Sequence, residues 1–140
     1  MSPVLGQPRI TTSSQSLARV AGLVESRANG ICLCQGSLAS AGEDVVKAIH
    51  QLGPFIKFVH FRNVVGTVPR FRKSFQDNGD IDMVAAMQAY YDIGFTGPIR
   101  PDHVPTLDGE TNEHPGYETW GRLYAAGYML GLMQAAQKQT

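Results

Sequence analysis

Phe55-Ile56-Lys57-Phe58-Val59-His60-Phe61-Arg62-Asn63 is the stretch on which the fold turns. It follows the break at Gly53-Pro54, is rich in aromatic and aliphatic residues, and reads as a buried strand. Alternation puts Ile56, Phe58, His60 and Arg62 on one face and Lys57, Val59 and Phe61 on the other. Two further segments share its design. Ile31-Cys32-Leu33-Cys34 ends in a thiol, and a strand from Phe95 to Asp102, containing Pro98-Ile99-Arg100-Pro101, ends in a carboxylate followed by His103. Each of the three carries a residue able to hold a divalent metal at or near its downstream end. In a parallel α/β sheet that end is the edge where ligands bind.

Helical patterns separate the strands. Ser13 to Ser26 reads as a helix with Leu17, Val20 and Val24 on one face and Ser13 or Ser14 as N-cap. Gln35-Gly36-Ser37 reads as a tight loop. Ser40-x-x-Glu43 has the form of a capping box ahead of Val45, Val46, Ile49 and Leu52. Val64 to Gly79 reads as a long basic connection carrying Arg70, Arg72 and Lys73. Asp80 and Asp82 precede a helix with Met83, Val84, Met87, Tyr90 and Tyr91, and acids suit that end of a helix dipole. Pro98 and Pro101 make the third strand short or an edge strand. Tyr117 to Lys138 reads as a closing helix whose Gly127 and Gly131 favour close helix packing in a core. The alternation of helix and strand predicts an α/β chain with a parallel sheet and right-handed crossovers. Three strands make an arc of roughly three-eighths of a barrel, with open edges that another chain could pair.

The chain has 140 residues, a formal net charge of zero and only 17% charged residues. This is enough for one domain, residues 1–140, but short of a barrel of about 250. The charge balance argues against nucleic acid and anionic membrane as partners. No apolar run reaches the ~20 residues of a membrane span, and Met1 to Thr12 lacks the pattern of a signal peptide. A cytoplasmic location is expected. Cys32 and Cys34 share a strand face, where pairing would distort the backbone, so both are expected as free thiols.

Taken alone, Cys34 reads as a small buried apolar residue and His60 as a satisfied core histidine. Asp102 is harder to dismiss, because burying an unpaired carboxylate is costly. Together at equivalent strand ends, Cys34, His60 and Asp102 form a mixed ligand set for an ion of the Zn, Fe, Mn or Co class, with room for a substrate. His103 and Tyr117 are candidates for proton transfer, Tyr117 otherwise being an aromatic that caps the last helix. Arg62 is either a carboxylate receptor or one half of a surface ion pair. His50 and His114 read as surface residues.

Phe58-Val59-His60-Phe61-Arg62-Asn63-Val64, Asp77-Asn78-Gly79-Asp80-Ile81-Asp82-Met83 and the run from Gly94 to Pro105 resemble bacterial mannonate dehydratase. So do Pro115-Gly116-Tyr117, the run from Gly121 to Tyr128, Leu33-Cys34-Gln35-Gly36-Ser37 and the approach Pro8-Arg9-Ile10. The resemblance covers nearly the whole chain. It implies a partial TIM barrel of the xylose-isomerase-like type, about three β/α units from the C-terminal part of the enzyme. It also implies dehydration of D-mannonate to 2-dehydro-3-deoxy-D-gluconate in hexuronate breakdown with Mn²⁺ or Fe²⁺. Cys34, His60 and Asp102 would be metal ligands, His103 and Tyr117 the acid/base pair, and Arg62 and Asn63 substrate neighbours. The expected partners are a small-molecule sugar acid and, at full length, further copies of the protein. The family has one more histidine ligand, upstream of the Pro-Arg-Ile segment, and often a histidine near position 76, where this chain has Gln76. The alternative expectation is therefore an inactive fragment, or an interaction module that pairs its open edges.

Overall fold

The chain runs α1 (Ser14–Ala21), β1 (Ile31–Cys34), α2 (Gln35–Ser40), α3 (Val45–Leu52), a 3-10 turn (Gly53–Phe55), β2 (Ile56–Phe61), β3 (Asn63–Thr67), β4 (Arg70–Ser74), α4 (Met83–Asp92), β5 (Ile99–Pro101) and α5 (Thr119–Gln137). This architecture comes from a computed structural model that describes residues 6–138. The strands β1, β2 and β5 form one parallel sheet with β2 in the centre. From Phe58 onward alternation along β2 sorts the side chains as expected, but Ile56 is buried in the core and Lys57 exposed, beside a shift in the register with β1. Val59 and Phe61 are fully buried, whereas Phe58, His60 and Arg62 on the other face are only half-buried. Leu33, Val59 and Phe61 join Ile49, Leu52, Met87 and Tyr90 in one apolar core. Along that core α1 packs on α3, α3 on α4 and α4 on α5. The fold is thus a parallel sheet with helices on one face and an open opposite face, the layout of a segment of a barrel wall.

Local chemistry fixes the helix starts. Ser13 caps α1 through a reciprocal box with Ser16. Asp82 caps α4, its carboxylate accepting from the Ala85 backbone N–H at 2.9 Å. For α3 the cap is Asp44, which accepts from the Lys47 N–H at 3.0 Å, and not the Ser40/Glu43 box. Glu43 is instead drawn across to α1, where the Ser14 hydroxyl donates to it at 2.6 Å.

Other expectations also need correction. Gln35-Gly36-Ser37 is not a loop but the first turn of α2, which the burial of Leu38 in the core helps to hold. α1 ends at Ala21 rather than Ser26, leaving Val20 and Val24 exposed. The third strand spans only Ile99–Pro101 instead of Phe95 to Asp102, and is the short edge strand that its prolines predict. In α5 the residues turned inward are Gly121, Ala125, Met129 and Ala136. Gly127 and Gly131 are exposed and a Cβ on either would meet nothing, so they do not mediate core packing.

The largest departure is the connection from Val64 to Gly79. It begins with an antiparallel hairpin, β3 paired to β4 from Asn63↔Ser74 to Thr67↔Arg70, turning at a cis Val68-Pro69 bond. Only Arg62 separates β2 from this hairpin. Asn63 anchors it. Its side chain is fully buried, with the amide nitrogen donating to the Gln76 and Ile81 carbonyls at 2.8 and 3.1 Å. Its oxygen accepts from the backbone N–H groups of Val64 and Ile81 at 2.9 and 3.0 Å. Every polar atom of Asn63 is therefore spent on the backbone, and its place in the fold is that of a tether between the hairpin and the loop before α4. Gly79 is packed directly against this amide, so a Cβ there would overlap it.

Asn63→Ala should strand buried donors and acceptors at Val64, Gln76 and Ile81 and lower stability by about 3 kcal/mol. Urea unfolding measures this, and an unchanged midpoint would remove Asn63 from that role.

Candidate metal centre

Parallel pairing builds the centre. Register places Cys34 of β1 opposite His60 of β2, and His60 opposite Arg100 of β5. Asp102 follows one residue beyond β5. The thiol, one imidazole nitrogen and one carboxylate oxygen of Cys34, His60 and Asp102 all lie within 4.8 Å of one another. Cys34 Sγ is 4.0 Å and His60 Nδ1 3.8 Å from Asp102 Oδ2. Ligand atoms bonded to one ion at about 2.0–2.3 Å sit roughly 3–4.5 Å apart, so these separations suit a shared cation with little rearrangement. Sulfur, nitrogen and oxygen in one set suit a first-row transition metal better than Ca²⁺ or Mg²⁺. Both cysteines are free thiols.

Asp102 is the electrostatic hub. It is 4% exposed, and its carboxylate is surrounded by donors. Arg100 Nη2 lies 3.2 Å from Oδ1, Arg62 Nη1 lies 3.8 Å from Oδ2, and the Tyr117 hydroxyl donates to Oδ1 at 3.4 Å. Burial pushes the Asp102 pKa up, but His103, His60 and the Arg100 hydrogen bond outweigh it and hold the group below its ordinary value. It is therefore a carboxylate at neutral pH, as a metal ligand must be.

His103 and Tyr117 meet edge to face, ring centroids 4.7 Å apart. The chain reaches Tyr117 through Gly116, whose φ of +92° is one that side-chain-bearing residues rarely adopt. A Cβ there would also press on the His103 ring at 3.2 Å. Burial lowers the His103 pKa, Asp102 opposes this, and Arg62, Lys73 and Arg100 reinforce it. The imidazole is thus neutral near pH 7 and able to accept a proton, beside a phenol able to give one.

Of the residues singled out in the sequence, Cys34, His60, Asp102, His103, Tyr117 and Arg62 come together around one carboxylate, while His50 and His114 are exposed elsewhere. Asn63 does not join them; its amide is fully occupied by the tether described above. Arg100 was not anticipated, although its position two residues before Asp102 on an alternating strand puts it on the same face. Phe58, two residues before His60, packs edge-on against that imidazole at 5.4 Å and was likewise unforeseen. Beside the centre a groove of about 900 Å³ opens over Cys32 and Cys34, bordered by Thr12, Ser37 and the hairpin residue Phe71. No helix among the described residues is long and apolar enough to cross a membrane.

The family model described as D-mannonate dehydratase (UxuA) matches residues 1–140. A mannonate dehydratase of Brachyspira hyodysenteriae is 41% identical over 97% of this chain and 39% of its own length. Mannonate dehydratase 2 of Halalkalibacterium halodurans is 40% identical over 94% of this chain and 40% of its own length. Among solved structures, mannonate dehydratase from Streptococcus suis serotype 2 superposes with a TM-score of 0.89 at 33% identity, covering 97% of this chain and 40% of that one. A D-tagatose 3-epimerase-like protein, 14% identical, superposes with a TM-score of 0.72 and shares the fold. The fold is that of part of a xylose-isomerase-like TIM barrel, and the chain spans about 40% of the length of the curated relatives it matches. The chain belongs to the D-mannonate dehydratase (UxuA) family.

Proposed function

We propose that residues 1–140 are the C-terminal portion of a metal-dependent mannonate dehydratase and carry three of its metal ligands and its proton-transfer pair. The reaction removes water across C2 and C3 of D-mannonate to give 2-dehydro-3-deoxy-D-gluconate. The observation that carries the reading is the convergence of Cys34, His60 and Asp102 within 4.8 Å, with the Tyr117 hydroxyl on the same carboxylate, in a chain of this family.

Cys34, His60 and Asp102 would hold the ion, Mn²⁺ or Fe²⁺ on the resemblance of the motifs. When bound, it supplies Lewis-acid stabilisation of the negative charge that develops beside the substrate carboxylate as the C2 proton leaves. The chain's own residues do the rest. The proton at C2 is only weakly acidic, so a positioned base must take it, and the C3 hydroxyl must be protonated to depart as water. His103 and Tyr117 share these two tasks, a neutral imidazole being suited to accept and a phenol to donate. Arg62 and Arg100 set two guanidinium groups beside Asp102, where they would receive the substrate carboxylate. A sugar-acid dehydratase of this kind is expected in the cytoplasm, at full length as a homo-oligomer.

A second reading makes this chain, by itself, a non-catalytic segment that pairs its open surfaces. The observation in its favour is the exposed apolar side of α5, where Trp120, Leu123 and Leu130 are each more than half exposed. Metal analysis and a D-mannonate turnover assay on the 140-residue chain separate the two. Stoichiometric tight metal together with turnover would sink the second reading.

In a full-length enzyme carrying these residues, Asp102→Asn should weaken metal binding by at least about tenfold and abolish turnover. Unchanged metal content and rate would remove Asp102 from the ligand set. Tyr117→Phe and His103→Asn should each keep the metal and lower kcat by about 10²–10⁴-fold; a loss of metal in either would make that residue part of the ion's support instead. Chelation should silence the enzyme, and either Mn²⁺ or Fe²⁺ should restore it. Full activity in chelator would rule out the metal-assisted route.

A further inference from the structure

Gly36 occupies the first turn of α2, where glycine is a poor choice. Its backbone adopts no left-handed conformation, it is buried, and alanine is the better helix former at such a position. The three nearest atoms that an alanine Cβ would meet all belong to one side chain. A Cβ built on Gly36 lies 2.7 Å from Arg62 Cδ, 3.0 Å from Cγ and 3.1 Å from Nε. These atoms belong to the stem and root of the guanidinium, not to a free tip, so the arginine could not keep its place.

That place is unusual. The Arg62 side chain is only 13% exposed, and its Nε is buried with no hydrogen-bond partner among the described residues. One terminal nitrogen stands 3.8 Å from Asp102 Oδ2, beyond hydrogen-bond length. A buried guanidinium with an unspent donor is costly unless something anionic completes it. Among the described residues the one carboxylate paired with Arg62 is Asp102, which Arg100 already holds at 3.2 Å. The edge of the sheet therefore keeps a cationic fork in reserve, aligned by the absence of one methyl group on the neighbouring helix.

We propose that Gly36 is a positioning residue. It leaves the slot in which the Arg62 guanidinium is held, and through that guanidinium it sets the affinity of the site for the carboxylate end of the sugar acid. This rests on the dehydratase reading above, and it adds to it a residue that touches neither substrate nor metal. Arg62 has one residue between the sheet and the hairpin in which to turn, so the backbone gives it little freedom to recover its position once displaced. A planar fork recognises a carboxylate by two parallel hydrogen bonds, which makes it intolerant of a shift of an ångström.

The test is a double-mutant cycle in full-length enzyme, with Gly36→Ala, Arg62→Ala and the pair. Gly36→Ala should raise KM for D-mannonate by about tenfold or more, with bound metal per subunit and Tm at or above the wild-type values. In the Arg62→Ala background the same change should leave KM within about twofold, because there is no guanidinium left to displace. The inference is overturned if Gly36→Ala leaves KM unchanged while the wild type turns over D-mannonate, or if it raises KM equally in both backgrounds. It is also overturned if the rise in KM comes with lost metal or a lowered Tm. A wild-type protein that binds metal but does not dehydrate D-mannonate would instead overturn the dehydratase reading, and this inference with it.

Discussion

The site depends on the pairing of one strand with two neighbours in a fixed parallel register. β2 is pulled into place by Val59 and Phe61, whose burial against the helices leaves no choice of face. Because side chains alternate, the same burial turns His60 and Arg62 to the open face. A slip of one residue would carry His60 into the apolar core and expose Phe61, so the hydrophobic pattern guards the chemistry. Pairing to β1 then brings Cys34 beside His60, and pairing to β5 brings Arg100 and, one residue further on, Asp102. The apolar residues of the core thus position a ligand set that none of them touches.

Charge organises the next layer. A carboxylate as buried as Asp102 is costly unless cations and donors surround it. Arg100, Arg62, His60 and the Tyr117 hydroxyl provide that surrounding. The arrangement does more than neutralise one negative charge, since two arginines face a single acid and Lys73 lies near the adjacent His103. A bound divalent ion would add to the positive balance. Such an edge favours an anionic ligand on electrostatic grounds, before any particular contact is considered. The same cations help to keep His103 neutral, so the feature that would favour an anion also leaves a proton acceptor beside it.

The strand ends were legible in the sequence because one short segment contains both the alternation that sets the face and the polar residue that ends it. Cys34, His60 and Asp102 could be read from three such segments without knowing the distances between them. The hairpin was not legible. Asn63-Val64-Val65 alternates too briefly beside Gly66 and Pro69, and its anchor, the Asn63 side chain, bonds to Ile81 eighteen positions away in the sequence. Nothing local marks Asn63 as a tether rather than a ligand-facing amide. α2 was hidden for a related reason: Gln35-Gly36-Ser37 has the composition of a turn, and only the burial of Leu38 against distant residues favours the helix. Gly127 and Gly131 show the converse, a spacing that suggests packing on a helix face that this structure leaves exposed.

The two faces of the sheet differ in how they are satisfied, and this bears on what the site can do. The helix-facing side is closed by α3, α4 and α5, all supplied by the chain itself. The opposite face holds Cys32, exposed, and Phe58, His60 and Arg62, half-buried. In a closed barrel, strands from further round would face these residues and line the other half of the same edge. On the reading proposed above, an ion held by Cys34, His60 and Asp102 would lie on this wall, with the substrate on its open side. Arg62 lies against α2 on this same wall, so it and the cluster of Cys34, His60 and Asp102 share one support. Placing both on paired strands and the helix that follows the first of them fixes their separation more tightly than a mobile loop could.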